Sequence, residues 1–133
     1  MQRTYLFILL SIATFAAGCG RQGNVKDYVP PQEAARQSLS TALEAWKGGK
    51  TPDQIGASNP AIQAQDSQWR EGQKLTAYEI VGPAPAPSGD QNQWFTVKLT
   101  LGSAAPKETT YVVLGKDPIW VFSAENYQKT SGM

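Results

Sequence analysis

Histidine is absent from the 133 residues and cysteine occurs once. The first absence removes the commonest general acid–base side chain, the Ser-His and Cys-His nucleophile pairs and the commonest zinc ligand. The second removes any internal disulfide, so the fold must rest on its core. No G-x-S-x-G turn, Walker loop or dinucleotide fingerprint appears. A basic excess is missing too: 12 Lys+Arg stand against 11 Asp+Glu, and no two basic residues are adjacent. Phosphate backbones demand clustered Lys and Arg, so no nucleic-acid partner is expected. Acidic residues never gather into a D-x-D-x-D-G loop. No metal and no cofactor are expected, and the chain reads as a non-enzyme.

What is present begins with "MQRTYLFILLSIATFAAGC". Arg3 precedes an uncharged stretch, Thr4 to Ala17, that would span roughly 21 Å as a helix. A bilayer's hydrocarbon core is about 30 Å thick and takes about 20 apolar residues, so this run is short for a transmembrane helix. A basic start, an apolar centre and small residues at the end fit a secretory signal peptide over residues 1–18. Cys19 follows it as a core residue, a reactive thiol or a modification site.

Ala16-Ala17-Gly18-Cys19 resembles the bacterial lipobox, although Ala16 stands where Leu is the commonest choice of that family. The resemblance implies that Cys19 carries a diacylglyceryl group and that signal peptidase cuts between Gly18 and Cys19. It further implies a lipoprotein whose acyl chains, palmitate among them, hold it to a membrane. Two or three chains, at about 0.8 kcal/mol per buried CH₂, anchor stably where one is marginal. Gly20 is not Asp, which by the same resemblance directs the protein to an outer membrane where the cell has one. Its domain would then face the periplasm or the exterior. Ordinary secretion with cleavage nearby is the alternative.

Taking residues 1–18 from 133 leaves 115, enough for one domain. Loss of Arg3 leaves the mature side chains formally neutral. Residues 19–31 hold Gly, polar residues and two prolines, and read as a lipidated tether, or as an ordered arm around Tyr28 and Val29. In "PQEAARQSLSTALEAWKGGK", Ala35, Leu39, Ala42, Leu43 and Trp46 recur at helical spacing. Pro31 suits the start of this helix and Gly48-Gly49 its end. "TPDQIG" carries a capping-box pattern and predicts one short turn. "SNPAIQAQDSQWREGQ" lacks a clear stripe and reads as irregular or extended, with a second helix as the other option.

From Lys74 the period becomes two. "KLTAYEIVG", "QWFTVKLTLG", "KETTYVVLG" and "IWVFS" are strands, joined by short turns that favour antiparallel pairing. "GPAPAPSGDQN" is a proline-rich loop between the first two. One amphipathic helix packed on a four-stranded antiparallel sheet gives an α+β domain over residues 32–123, followed by a tail at 124–133. The order α-β-β-β-β resembles the cystatin-like and nuclear-transport-factor-2-like folds. Leu75, Tyr78 and the "YVV" at 111–113 are similar to small exported bacterial domains. Such folds host many functions, so neither likeness implies a site.

Asp66, Glu71 and Glu79 are the carboxylates that could form an acid–base pair, yet each also fits a solvated or turn position. Of the four tryptophans, Trp46 belongs to the helical stripe. Trp69 and Trp120 are open, and Trp94 shares its strand face with Thr96, Lys98 and Thr100. Tyr78, Trp94 and Tyr111 are the candidate binding surface, in a pocket between helix and sheet. The reading is a lipid-anchored, non-enzymatic domain of the cell envelope, partnered by the membrane through Cys19 and by envelope proteins. A binder of a small molecule or envelope polymer is the alternative.

Overall fold

The computed structural model describes residues 29–56 and 60–130. The expected signal peptide, Gly18, Cys19 and the expected tether as far as Tyr28 lie outside them. The described chain is α+β, with three helices and one mixed five-stranded sheet.

Helix α1 spans Gln32–Lys47 and starts after Pro31, whose carbonyl accepts from Ala35 N–H at 2.9 Å. Pro31 stands at the cap without a side-chain hydrogen bond, and Gly48 closes the other end on the Glu44 carbonyl. The expected stripe is buried in full, with Ser38 and Ala45 added beside it. Thr51 and Gln54 form the reciprocal capping box around a 3-10 turn at Pro52–Gln54. Pro30, within the expected tether at 19–31, is fully buried, and its carbonyl accepts from Gln93 Nε2 at 3.2 Å.

Four strands fall where the period-two pattern places them: β2 (Leu75–Pro83), β3 (Gln93–Leu101), β4 (Lys107–Leu114) and β5 (Ile119–Ser123). Each pairs antiparallel with the next. The four-stranded, wholly antiparallel sheet needs correction, because β1 (Ile62–Gln65) adds a fifth strand that runs parallel to β5. It comes from the passage expected to be irregular or extended. Ile62 and Ala64 point inward while Gln63 is exposed, but two small inward residues make a faint alternation. What secures β1 is tertiary: β5 would otherwise present a row of unpaired backbone groups. Ala61 extends the pairing by accepting from Ile119 N–H at 2.8 Å.

After β1, Asp66 caps the single-turn helix α2 (Ser67–Arg70). Residues 124–130, expected as the start of a tail, form α3 (Ala124–Thr130). Its first turn is held by Ser123, whose hydroxyl donates to Asn126 Oδ1 at 2.8 Å and accepts from Asn126 N–H at 3.3 Å.

The core lies between α1 and the inner sheet face, where Leu39, Leu43 and Trp46 meet Phe95, Val97, Leu99, Tyr111, Val113 and Val121. Full burial of one such aliphatic or aromatic side chain contributes about 1.5–3 kcal/mol. The far edge of the sheet is broken by irregularities at Leu75/Ala77 and Ile80/Gly82 and ends in Pro83. Arg36 donates to the Ile80 carbonyl at 3.4 Å, occupying a group of that same strand. Bulges, a proline and a cation all oppose pairing with another chain.

Candidate functional site

Tyr78, Trp94 and Tyr111 do not converge. Tyr78 is half-buried beside α1: its hydroxyl donates to Glu44 Oε1 at 2.6 Å and lies 3.3 Å from Ser40 Oγ. Burial and the Glu44 hydrogen bond raise its pKa above the ordinary tyrosine value. Tyr111 is 2% exposed on the inner face and donates to Asp66 Oδ2. Trp94 belongs to the opposite face, so no single pocket between helix and sheet collects the three.

The three carboxylates also separate. Asp66 is 4% exposed, and its Oδ1 accepts from Gln68 N–H at 2.9 Å and Trp69 N–H at 3.3 Å. Burial raises its pKa, more than offsetting the hydrogen bonds from Tyr111, Trp69 and Gln68; the Glu125 charge adds to the rise. Glu71 is exposed at the C-terminal end of α2. Glu79 is exposed on β2, in register with Lys98, which is in turn in register with Glu108. Asp66 therefore has a positioning role, tying β1, α2 and β4, and the other two lie in solvent. Among the described residues, no group of three or more Asp, Glu, His or Cys converges to hold a metal ion.

The outer sheet face divides in two. Around Glu79, Lys98 and Glu108 it is charged, with Thr96, Thr100 and Thr110 beside them. Toward α3 it is aromatic: Trp94, Val112 and Phe122 are buried, with Ala84, Leu114, Trp120 and Tyr127 packed around them. Trp120 stacks on Phe122 at 5.7 Å and 20°, and Tyr127 meets Phe122 at 5.8 Å and Trp94 at 5.6 Å, both edge-on. Alternation put Trp94 on the outer face; α3 and the proline-rich loop then cover it to 5% exposure.

Asp90 organises this end. The proline-rich loop turns at Ser88-Gly89, where Gly89 takes φ +83° and Asp90 N–H donates to the Pro87 carbonyl at 3.0 Å. Asp90 Oδ1 then accepts from Asn92 N–H at 2.8 Å and from Trp94 Nε1 at 3.1 Å. Its Oδ2 accepts from the Tyr127 hydroxyl at 2.9 Å, which receives Asn92 Nδ2 at 3.3 Å. One carboxylate thus pins loop, sheet and α3 together. Burial pushes the Asp90 pKa up, but hydrogen bonds from Trp94, Asn92 and Tyr127 outweigh it and leave the value below the ordinary one. Tyr127 is shifted up by burial and by Asp90.

An open cleft of about 570 Å³ lies between loop and helix, walled by Pro87, Gly89, Asp90, Trp94 and Tyr127. A second hollow of about 460 Å³, lined by Leu114, Trp120 and Phe122 with Gln65 and Thr130 at its rim, continues the aromatic surface. Sequence reasoning missed Asp90 and Tyr127. The signals were there in "GDQN", an Asp whose side chain meets the amide two residues on, and in "SAEN", a helix cap. Among the described residues, no helix is long and apolar enough to cross a membrane. Comparison with protein-family models, with curated proteins and with solved structures gives no match.

Proposed function

We propose that the protein is a lipid-anchored domain on the exported side of a bacterial membrane, the outer one where the cell has one. There it acts by contact with envelope proteins, as a small scaffold and without catalysis. The observation that carries the contact reading is the unequal cover of the sheet. Helix α1 covers the inner face, whereas α3 covers only part of the aromatic outer face and leaves Trp120 and Leu114 half-exposed beside an open hollow. Partly exposed aromatic clusters are favoured anchors of protein interfaces. The anchor rests on Ala16-Ala17-Gly18-Cys19, and the non-enzymatic reading on a chain with no histidine and one cysteine.

The second reading, a binder of a small molecule or envelope polymer, is favoured by the cleft at Asp90, whose size is that of a ligand pocket. It would sit on the outer face, not between helix and sheet.

The test has two arms. Wild-type protein should fractionate with membranes and carry the mass of a diacylglyceryl group on a chain starting at Cys19, while Cys19→Ala should lose both. Retention of mature Cys19→Ala at the membrane would defeat the anchor. Cross-linking in intact cells should yield a discrete envelope protein that disappears with Trp120→Ser. A partner retained by that variant would place contact elsewhere.

A further inference from the structure

Among the described residues, no cation pairs with the Asp90 carboxylate. Its described hydrogen-bond donors, Asn92 N–H, Trp94 Nε1 and the Tyr127 hydroxyl, are all neutral, and among the described residues the only ion pair is Lys129–Glu125. Neutral donors hold the carboxylate in place and keep it ionised without removing its charge. It stands half-buried in the wall of the 570 Å³ cleft, hydrogen-bonded to Trp94 and Tyr127, and Pro87 and Gly89 line the same cleft.

An anion in an aromatic cleft has a specific complement. The ring of Tyr127, half-exposed in the cleft wall, attracts a cation through its quadrupole, whereas Trp94, at 5% exposure, supplies its indole N–H to Asp90. A carboxylate partly removed from water attracts it more strongly than one at the open surface. A neutral ligand such as a sugar would satisfy the ring but leave the charge as it is. A planar guanidinium does both, since it stacks on an aromatic face while its N–H groups reach a carboxylate.

We propose that the cleft between the proline-rich loop and α3 is a receptor for an arginine side chain of a partner protein, with Asp90 as the counter-charge and Tyr127 as the stacking wall. A lysine would bind more weakly, because its ammonium cannot stack. The proposal deepens the contact reading above by naming what the partner presents.

The test uses the whole chain, ¹⁵N-labelled in detergent micelles, and follows the Trp94 indole N–H signal, whose proton is bonded to Asp90. N-acetyl-arginine methylamide should shift that signal saturably, the lysine analogue less, and the glutamine analogue not at all. Added salt should weaken the shift, and Asp90→Asn should lower the affinity at least about tenfold, about 1.4 kcal/mol. Because Asp90→Asn could loosen the loop, the arginine-to-glutamine contrast on wild-type protein is decisive without it. Absence of a saturable arginine shift overturns the proposal, as does an equal response to glutamine. A saturable shift from an N-acetylglucosamine oligomer alone also overturns it and favours the polymer reading. The titration needs no membrane and no partner, so its failure leaves the lipid anchor untouched, and failure of the anchor leaves the cleft.

Discussion

Tyr111 donates its hydroxyl to Asp66 Oδ2 inside the protein, joining residues 45 positions apart in the chain. Both groups are buried, and they act on each other unequally: Asp66 raises the Tyr111 pKa, while the Tyr111 hydrogen bond lowers that of Asp66. Burial and the Asp66 charge put the Tyr111 pKa well above its ordinary value, so the hydroxyl stays protonated and donates. The same burial raises the Asp66 pKa above 3.8.

Stability should therefore respond to acid in a direction opposite to that of a salt-bridged carboxylate. A carboxyl whose folded pKa lies above its unfolded value binds protons more readily in the folded state. Its contribution to stability grows as pH falls through the raised folded value and is complete below the unfolded one. Urea midpoints of wild type relative to Asp66→Asn should rise as pH is lowered from neutrality toward the ordinary carboxyl range. Tyr111→Phe strands Asp66 Oδ2 and should cost about 1–3 kcal/mol at neutral pH. That cost should shrink on acidification, since a protonated Asp66 no longer has a buried charge to satisfy. A cost that grows with acid would show that Tyr111 supports the protonated form of Asp66 instead.

The ring pair Trp46–Trp69 joins α1 to α2 by a stack at 5.5 Å and 11°. Each indole N–H is satisfied by a backbone carbonyl: Trp46 by Gln73 at 2.7 Å and Trp69 by Lys50 at 2.7 Å. Trp69→Ala should cost about 3–5 kcal/mol, as for other buried Trp truncations. A double-mutant cycle with Trp46→Leu and Trp69→Leu should return a coupling of about 0.5–1.5 kcal/mol, the range for aromatic pairs. A coupling of zero would reduce the pair to two independent apolar side chains.

How much of this was legible depended on whether a residue's partner is near it in the chain. The stripe of α1, from Ala35 to Trp46, and the alternation of β3, from Phe95 to Leu101, are local periodicities, and the structure follows them. The capping box of Thr51 and Gln54 was equally readable because its two bonds close within four residues. β1 was not, since among the described residues it pairs only with β5, more than fifty residues later. Trp69 was ambiguous for the same reason, its stacking partner being on α1. The aromatic site was half readable: alternation placed Trp94 on the outer face, but its burial depends on Asp90 and Tyr127, from a loop and a helix that meet only after folding.

Gly115, in the turn between β4 and β5, gives the last test. It has φ +82°, and a Cβ placed there would lie 2.7 Å from the Pro118 carbonyl oxygen. The obstacle is backbone, so it cannot rotate away as a side chain could. Gly102 has φ +58° and nothing within 4 Å of a Cβ, which isolates the conformational penalty. Gly102→Ala should cost about 1–2 kcal/mol, the price of a left-handed backbone for an L-residue. Gly115→Ala should cost clearly more, because the β4–β5 turn must shift to relieve the contact. That shift reaches the aromatic face as well, since Trp120 Cδ1 lies 3.4 Å from the same Cβ position. Chemical denaturation of the two variants side by side measures the difference. Equal losses would mean that the turn yields freely and that Trp120 is not held by it.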